Sequence, residues 1–224
     1  VSLFGEEVRS AVFEDQDMTA SGKTLWDACL GVVEEIGERY GKWQDKDCKV
    51  LKNKLLELET PETGRVPLSV FWDSVVQGKE WQFVESVPYL TQLGALQGSE
   101  PPHQSVIIPN YLYSNGNCFS HSKYYDTCCI DECNTLLGAI ESQVDEPSVE
   151  PHRLVEIVSS LPSSTVNAPR ALKPELATRL KEIAARNNGV VPLHGRLFAQ
   201  FLHHAYPREC PYPAASTASN ASAD

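Results

Sequence analysis

The side chains best suited to chemistry are the seven cysteines, four of which fall within sixteen residues. These four are Cys118, Cys128, Cys129 and Cys133, in a stretch rich in Gly, Asn, Ser and Tyr. Such a cluster binds metal in a reducing compartment and forms disulfides in an oxidising one. Zinc sites usually draw on paired C-x2-4-C knuckles, and the C-x9-C-C-x3-C spacing supplies one such knuckle at most. The cluster therefore predicts disulfides.

Three bridges would use six cysteines and leave one over. Cys29 lies on an apolar helical stripe and is the predicted free thiol. The disulfide candidates are the other six, namely Cys48, Cys118, Cys128, Cys129, Cys133 and Cys210. Sequence alone does not fix their connectivity. The pattern favours a bridge from Cys118 to Cys128 or Cys129, with Cys48 and Cys210 joined to the remaining cysteines.

The other candidates for chemistry are three histidines and one cysteine pair. His194 precedes His203 and His204 by nine and ten residues, whereas metal ligands on one helical face lie three or four apart. We expect His194 to cap a helix and the others to lie at the surface or bond a carbonyl. Cys128-Cys129 lacks the C-x-x-C spacing of working dithiols. No catalytic, cofactor-binding or metal-binding residue is predicted, although a triad of distant residues stays open.

Composition argues against a nucleic-acid partner and against a membrane span. The chain has 19 basic and 30 acidic residues, a net charge of −11, which argues against nucleic acid because phosphate contacts need clustered Lys and Arg. No apolar run approaches the roughly 18 residues of a membrane span. The first residue, Val1, is not Met, and a removed leader or propeptide is the simplest explanation.

A short phrase occurs twice, as TGRVPL at residues 63–68 and NGVVPL at residues 188–193. Each copy joins two amphipathic helical stretches, and helix, glycine turn, extended residues and helix is the EF-hand layout. We therefore predict EF-hand-like units over residues 45–76 and 173–206. Val66 and Val191 occupy the position where paired hands exchange backbone hydrogen bonds, so we expect these two to pair.

Neither of these loops is predicted to bind calcium. With Gly64 at the sixth position of the calcium-loop template, the twelfth position is Val70, and in the second copy it is Gly195. A calcium loop needs several carboxylate oxygens, above all a bidentate acid at the twelfth position. No cofactor is predicted.

Apolar residues at helical spacing predict helices over residues 23–40, 45–59, 69–76, 86–96, 130–144, 150–161, 173–186 and 194–206. Gly41 is predicted to end the first of these helices, Asp45 to cap the second and Ser86 to cap the fourth. Residues 105–113 are β-rich but contain Pro109, so they are predicted to form an edge strand at best.

The predicted fold is mainly α: a divergent paired EF-hand-like helical domain with a disulfide-rich insertion and a minimal two-stranded β bridge. The domain covers residues 23–213 and the insertion residues 103–144. Residues 1–22 form a polar arm and residues 214–224 a flexible Ala/Ser tail. Asn220 begins a glycosylation sequon, which matters only in a secreted chain.

Three phrases carry a resemblance to a family: VPLHGRLFAQ at residues 191–200, PRECPYP at 207–213 and KYYDTCCIDEC at 123–133. They resemble uncharacterised cysteine-containing proteins of dinoflagellates and related microalgae, which often carry signal peptides. The similarity runs from about residue 24 to residue 213. No functional residue transfers, because these motifs carry no known chemistry. The resemblance implies an extracytosolic location, secreted or in a plastid or thylakoid lumen, and admits a lumenal accessory subunit of an algal photosynthetic complex.

These observations favour a non-enzymatic structural or assembly subunit that docks with protein partners in a larger extracytosolic complex. One alternative is a thiol- or metal-dependent enzyme, which predicts bound metal or one unusually reactive cysteine. The other is a secreted carbohydrate- or surface-binding module, for which exposed clusters of Trp and Tyr would be the first sign.

Overall fold

The computed structural model describes residues 25–73, 83–100, 103–114, 118, 128–144 and 146–213. The chain divides into two compact units, Val1–Lys49 and Val50–Asp224. The predicted polar arm and flexible tail, with Asn220, lie outside the described residues, and so does the side chain of Cys29. The predicted domain boundaries therefore stay predictions.

The first described element is one long helix, α1, Leu25–Glu57. The prediction of two helices, with Gly41 as a stop and Asp45 as an N-cap, was wrong. A glycine inside a helix costs only about 1 kcal/mol relative to alanine, and no proline interrupts this segment. Asp45 lies within the helix and accepts a hydrogen bond from Lys49 Nζ at 2.5 Å, one turn further on.

A small sheet organises the elements that follow α1. They are β1 Arg65–Pro67, α2 Leu68–Asp73, α3 Val87–Gln92, β2 Leu96–Gln97, β3 Ser105–Ile107 and α4 Ile108–Tyr113. The strand order is β1-β3-β2, all antiparallel, with Val66 opposite Val106. Ser86 caps α3 as predicted, because its Oγ accepts the Tyr89 N–H at 3.4 Å.

The second half repeats this plan with a two-stranded sheet. Its elements are α5 Glu132–Glu141, β4 Ser148–Val149, α6 Pro151–Ser160, α7 Pro174–Ala185, β5 Val191–Pro192 and α8 Arg196–Ala205. The two strands are antiparallel, with Val149 opposite Val191. The helices predicted for this half are present, with ends that differ by a few residues.

The predicted pairing of Val66 with Val191 was wrong. Each valine pairs instead with a strand nearer in sequence, Val66 with Val106 and Val191 with Val149. Closing a shorter loop loses less chain entropy, which favours the nearer partner. The prediction of a mainly helical fold with little β-structure is confirmed, but the described residues hold two small sheets and not one bridge between the repeated phrases.

The prediction of an edge strand over residues 105–113 was also wrong. β3 is the central strand of its sheet, and α4 begins directly after it at Ile108. Pro109 stands in the first turn of α4, where its missing N–H costs no hydrogen bond. The proline therefore marks the start of a helix.

Each half of the second unit has its own hydrophobic core. The first core contains a ring cluster in which Phe71 stacks on Phe83 at 4.7 Å between centroids and meets Tyr111 edge-on at 5.3 Å. The second includes Phe198 and Phe201, stacked at 5.7 Å. Within the described residues, no helix combines the length and the apolar character that a membrane crossing requires.

Candidate functional site

Residues 207–213, here called the C-terminal strap, follow α8 and join the two halves of the second unit. Cys210 is fully buried in the second core. Tyr212 reaches the first half through Asn110 in α4, whose side chain accepts the Tyr212 N–H at 2.7 Å and donates to the Tyr212 carbonyl at 2.8 Å. The strap therefore contacts both halves of the second unit.

Disulfides hold the strap and the cysteine cluster. Cys133 at the start of α5 is bonded to Cys210, and Cys118 is bonded to Cys128. Cys48 and Cys129 are also disulfide-bonded. All six candidate cysteines are therefore oxidised, and the favoured link from Cys118 to Cys128 or Cys129 is confirmed in its first form.

Arg208 ties the strap to the loop after α1. Its Nε lies 3.1 and 2.9 Å from the two carboxylate oxygens of Glu59, and its Nη2 lies 2.8 Å from Oε2. The Glu59 side chain is 2% exposed, and its Oε1 also accepts the Gly64 N–H at 2.5 Å. The bonds to Glu59 raise the pKa of the Arg208 guanidinium further above its ordinary value. Glu59, at the first position of the loop that has Gly64 at its sixth, is thus paired with a cation of the protein itself.

Gly64 lets the strap approach the loop. Its φ of 69° lies in the left-handed region, where residues with a Cβ are disfavoured. A Cβ added there would also lie 1.9 Å from the carbonyl oxygen of Pro207. Glycine is therefore needed at this position for two independent reasons.

Glu209, the next residue of the strap, is fully buried among hydroxyl groups. Its Oε1 accepts hydrogen bonds from Ser163 Oγ at 2.9 Å, from Thr165 Oγ1 at 2.6 Å and from the Thr165 N–H at 3.0 Å. Its Oε2 is buried and has no hydrogen-bond partner. The connector between α6 and α7 thus holds the strap through hydrogen bonds to Glu209.

Lys52 supplies the counter-charge. Its side chain is 5% exposed, and Nζ lies 2.9 Å from both oxygens of Glu132 and 3.6 Å from Glu209 Oε1. Burial would raise the pKa of the Glu132 carboxyl, but hydrogen bonds from Ser164, Lys52 and Tyr113 together with the lysine charge lower it. The result is a network in which the ammonium of Lys52 is the counter-charge of two carboxylates, those of Glu132 and Glu209.

In this network the Ser164 hydroxyl lies between Lys52 and Glu132. Lys52 Nζ donates to Ser164 Oγ at 2.8 Å, and Ser164 Oγ lies 2.6 Å from Glu132 Oε2, to which it donates. A lysine that donates to this hydroxyl does not accept a proton from it, so the pair is not arranged as a nucleophile and its base. Ser164 therefore bridges the ammonium of Lys52 and the carboxylate of Glu132.

His203 is the histidine closest to the strap. It is buried, and its Nδ1 lies 2.8 Å from the Cys210 carbonyl oxygen, which can only accept, so Nδ1 carries the proton. Burial lowers its pKa to about 4, against the raising effect of the Cys210 bond. The prediction of a carbonyl-bonded histidine is confirmed here.

The other two histidines behave differently. His204 is exposed, whereas His194 Nε2 pairs with Glu141 Oε1 at 2.9 Å. The expected cap at His194 was wrong, because Gly195 occupies the N-cap of α8. Within the described ranges, no group of three or more His, Cys, Asp or Glu side chains is placed to hold a metal ion.

Sequence reasoning missed the three charged residues of the network, Lys52, Glu132 and Glu209. One signal was present for Lys52, which adjoins the apolar face of Leu51 and Leu55, a position unusual for a lysine. The partners could not be inferred, because Glu132 and Ser164 lie 80 and 112 residues away from Lys52.

Comparison of the chain with protein-family models, with curated proteins and with solved structures finds no match.

Proposed function

We propose that the chain is a non-enzymatic structural or assembly subunit that docks, as a permanently set scaffold, in a larger extracytosolic complex. The observation that carries this proposal is the contact of Arg208 with Glu59. A carboxylate at the first position of an EF-hand-like loop serves calcium in a sensor. Here the carboxylate of Glu59 pairs with the guanidinium of Arg208 in the same chain, so this loop adopts its conformation without a bound calcium ion.

The proposal includes an architecture of two pairs of EF-hand-like units. Its support is that β1 pairs with β3 and β4 with β5, and that each of these strands leads into a helix. The valines at the paired positions are buried, as in the hydrophobic bridge between paired hands. Sensor proteins open on binding calcium. In this chain the strap closes the first loop by its own contacts.

Exposed apolar side chains support docking to a protein partner. Val84 and Ile130 are 70% and 73% exposed, and Trp72 is 38% exposed. Trp72 is held in place, since its Nε1 donates to the Glu85 carbonyl at 3.0 Å, next to Val84. When a partner covers a large exposed apolar side chain, apolar surface is removed from water, and this stabilises the complex.

The oxidised cysteines support the extracytosolic location in the proposal, because disulfides persist outside the reducing cytosol. Alkylation of the native protein followed by mass measurement tests it. We expect one alkylated cysteine before reduction and seven after. Seven alkylated cysteines before reduction would contradict the proposal and would favour the alternative, in which the cysteine cluster is a reactive-thiol or metal site.

Docking is tested by the native mass of the chain in an extract of its source. We expect it to migrate in an assembly larger than its own 24.8 kDa and to keep its melting temperature when calcium is added or chelated. Val84→Asp and Ile130→Asp should release the chain, whereas Gln97→Asp, at an exposed polar position, should not. A monomer with no co-purifying partner would contradict the proposal. Co-fractionation with lumenal photosynthetic complexes tests the partner that the algal resemblance suggests.

A further inference from the structure

A polar cleft of about 310 Å³ opens beside the strap, between the connector that precedes α7 and the end of α8. Its lining includes Arg170 and Lys173 from the connector, His204 from α8 and Arg208 from the strap. Glu62 is its one acidic lining residue within the described part of the chain. The volume lies at the lower end of the range for small-molecule sites, roughly 300–1,000 Å³.

The cleft is basic although the protein is acidic. The chain carries a net charge of −11, yet three permanent cations line this wall against one carboxylate. Glu59 neutralises one of the three, Arg208, which leaves an excess of positive charge. Arg65 and Arg179 lie close enough to add to this positive charge, because after burial their charges are the causes that lower the pKa of His204.

Arg170 is held in place before any ligand arrives. Its guanidinium carbon lies 4.6 Å from the centre of the Tyr206 ring, and its Nη2 donates to the Ala205 carbonyl at 2.8 Å. Its Nε has no hydrogen-bond partner. A guanidinium fixed by an aromatic face and one carbonyl loses little further freedom on binding an anion.

Lys173 complements it from the other end of the connector. Its side chain is exposed, and within the described residues no ion pair engages Nζ. Lys173 is also the N-cap of α7, and no side chain caps this helix end. A flexible ammonium beside a fixed guanidinium suits a compact anion with several oxygens.

We propose that this cleft binds a small oxyanion, the phosphate or sulfate group of a small molecule, through Arg170 and Lys173. Charge-assisted bonds from a fixed fork and an ammonium match the tetrahedral oxygens of such a group. The inference goes beyond the docking function, because it assigns a ligand and makes no use of a protein partner.

Titration calorimetry of the full chain with inorganic phosphate and with inorganic sulfate tests the proposal, at an ionic strength held constant with chloride. Lys173→Gln should weaken binding about fivefold, the size expected for one exposed charge-assisted contact. Lys181→Gln is the matched control, since Lys181 is exposed on α7 and does not line the cleft. It should change binding less than about twofold.

A second variant works in the opposite direction. Glu62→Gln removes the carboxylate from the lining and keeps the side chain's shape, so it should strengthen the binding of phosphate. Equal binding by the Lys173 and Lys181 variants would overturn the proposal, and so would the absence of binding by the wild type. Stronger binding of a hexaglutamate peptide than of phosphate would also overturn it, in favour of an acidic protein segment.

Discussion

The Arg208 guanidinium lies 2.8 Å from the Glu59 carboxylate, although 149 residues separate the two in sequence. The Glu59 side chain is 2% exposed, so its carboxylate depends on the guanidinium and on the Gly64 N–H and not on solvent. The pair fixes the strap against the loop after α1 at the same place where Gly64 meets Pro207. The loop and the strap are therefore held together by an ion pair and by a close backbone contact.

Removal of the guanidinium should destabilise the protein. Arg208→Met leaves a buried carboxylate without its counter-charge, which costs about 2–4 kcal/mol of unfolding free energy after allowance for the partly exposed arginine. Glu59→Gln in the same chain should restore part of this loss. Urea denaturation of the single and double variants gives the coupling energy, and a value below about 0.5 kcal/mol would contradict the pairing. Arg179→Met, in an exposed pair with Glu182, should cost less than about 1 kcal/mol.

The two glycines of the repeated phrase offer a matched comparison. Gly64 and Gly189 both have positive φ, 69° and 88°, but a Cβ at Gly189 meets nothing within 4 Å. Gly189→Ala should therefore cost about 1–2 kcal/mol, from the backbone conformation alone. Gly64→Ala should cost more, because its Cβ also overlaps the Pro207 carbonyl. Equal melting temperatures for the two variants would show that the strap does not press on the loop.

Lys52 should be far more sensitive to substitution than its exposed neighbour. Lys52→Met leaves Glu132 and Glu209 without a counter-charge and should lower the unfolding free energy by about 3–5 kcal/mol. Lys54→Met, which removes only an exposed pair with Glu57, should cost less than about 1 kcal/mol. Glu209→Gln should rescue part of the Lys52→Met loss, as measured by chemical denaturation. No rescue would mean that the lysine acts by packing and not by charge.

His203 should make stability depend on pH. Its pKa falls from the ordinary 6.5 to about 4 because burial disfavours the charged ring. Below pH 6.5 the unfolded chain takes up a proton that the folded chain refuses, so stability falls as the pH drops towards 4. The loss should be about 2 kcal/mol at pH 5, which lies 1.5 pH units below the ordinary pKa. Denaturation at pH 7.5 and pH 5 measures it.

The control for this pH dependence is His203→Asn, whose amide can still donate to the Cys210 carbonyl but does not titrate. We expect the variant to lose less stability than the wild type between the two pH values. Groups distant from residue 203 contribute equally to both proteins and cancel in the difference, whereas His204, whose ring centroid lies 5.3 Å from that of His203, belongs with the effect of the substitution. Identical pH profiles would assign the dependence to those other groups.

Local signals predicted the features that depend on a few neighbouring residues. Ser86 was identified as a cap because a hydroxyl before a helical stripe can accept the N–H three residues on. The helices of the second half followed from the spacing of apolar residues alone. Where a local signal was weak, as at Gly41 inside α1, the continuity of the helix outweighed it.

By itself, the sequence predicted that this chain is mainly helical, that its repeated loops lack the acid at the twelfth position of a calcium loop, and which six cysteines are candidates for bridges. Only the tertiary structure decided which strands pair, that Arg208 meets Glu59, and that Lys52 joins Glu132 to Glu209. The physical reason is range. Caps, periodicity and loop chemistry act within a turn or two, whereas strand partners and buried ion pairs are chosen by how distant segments share one core.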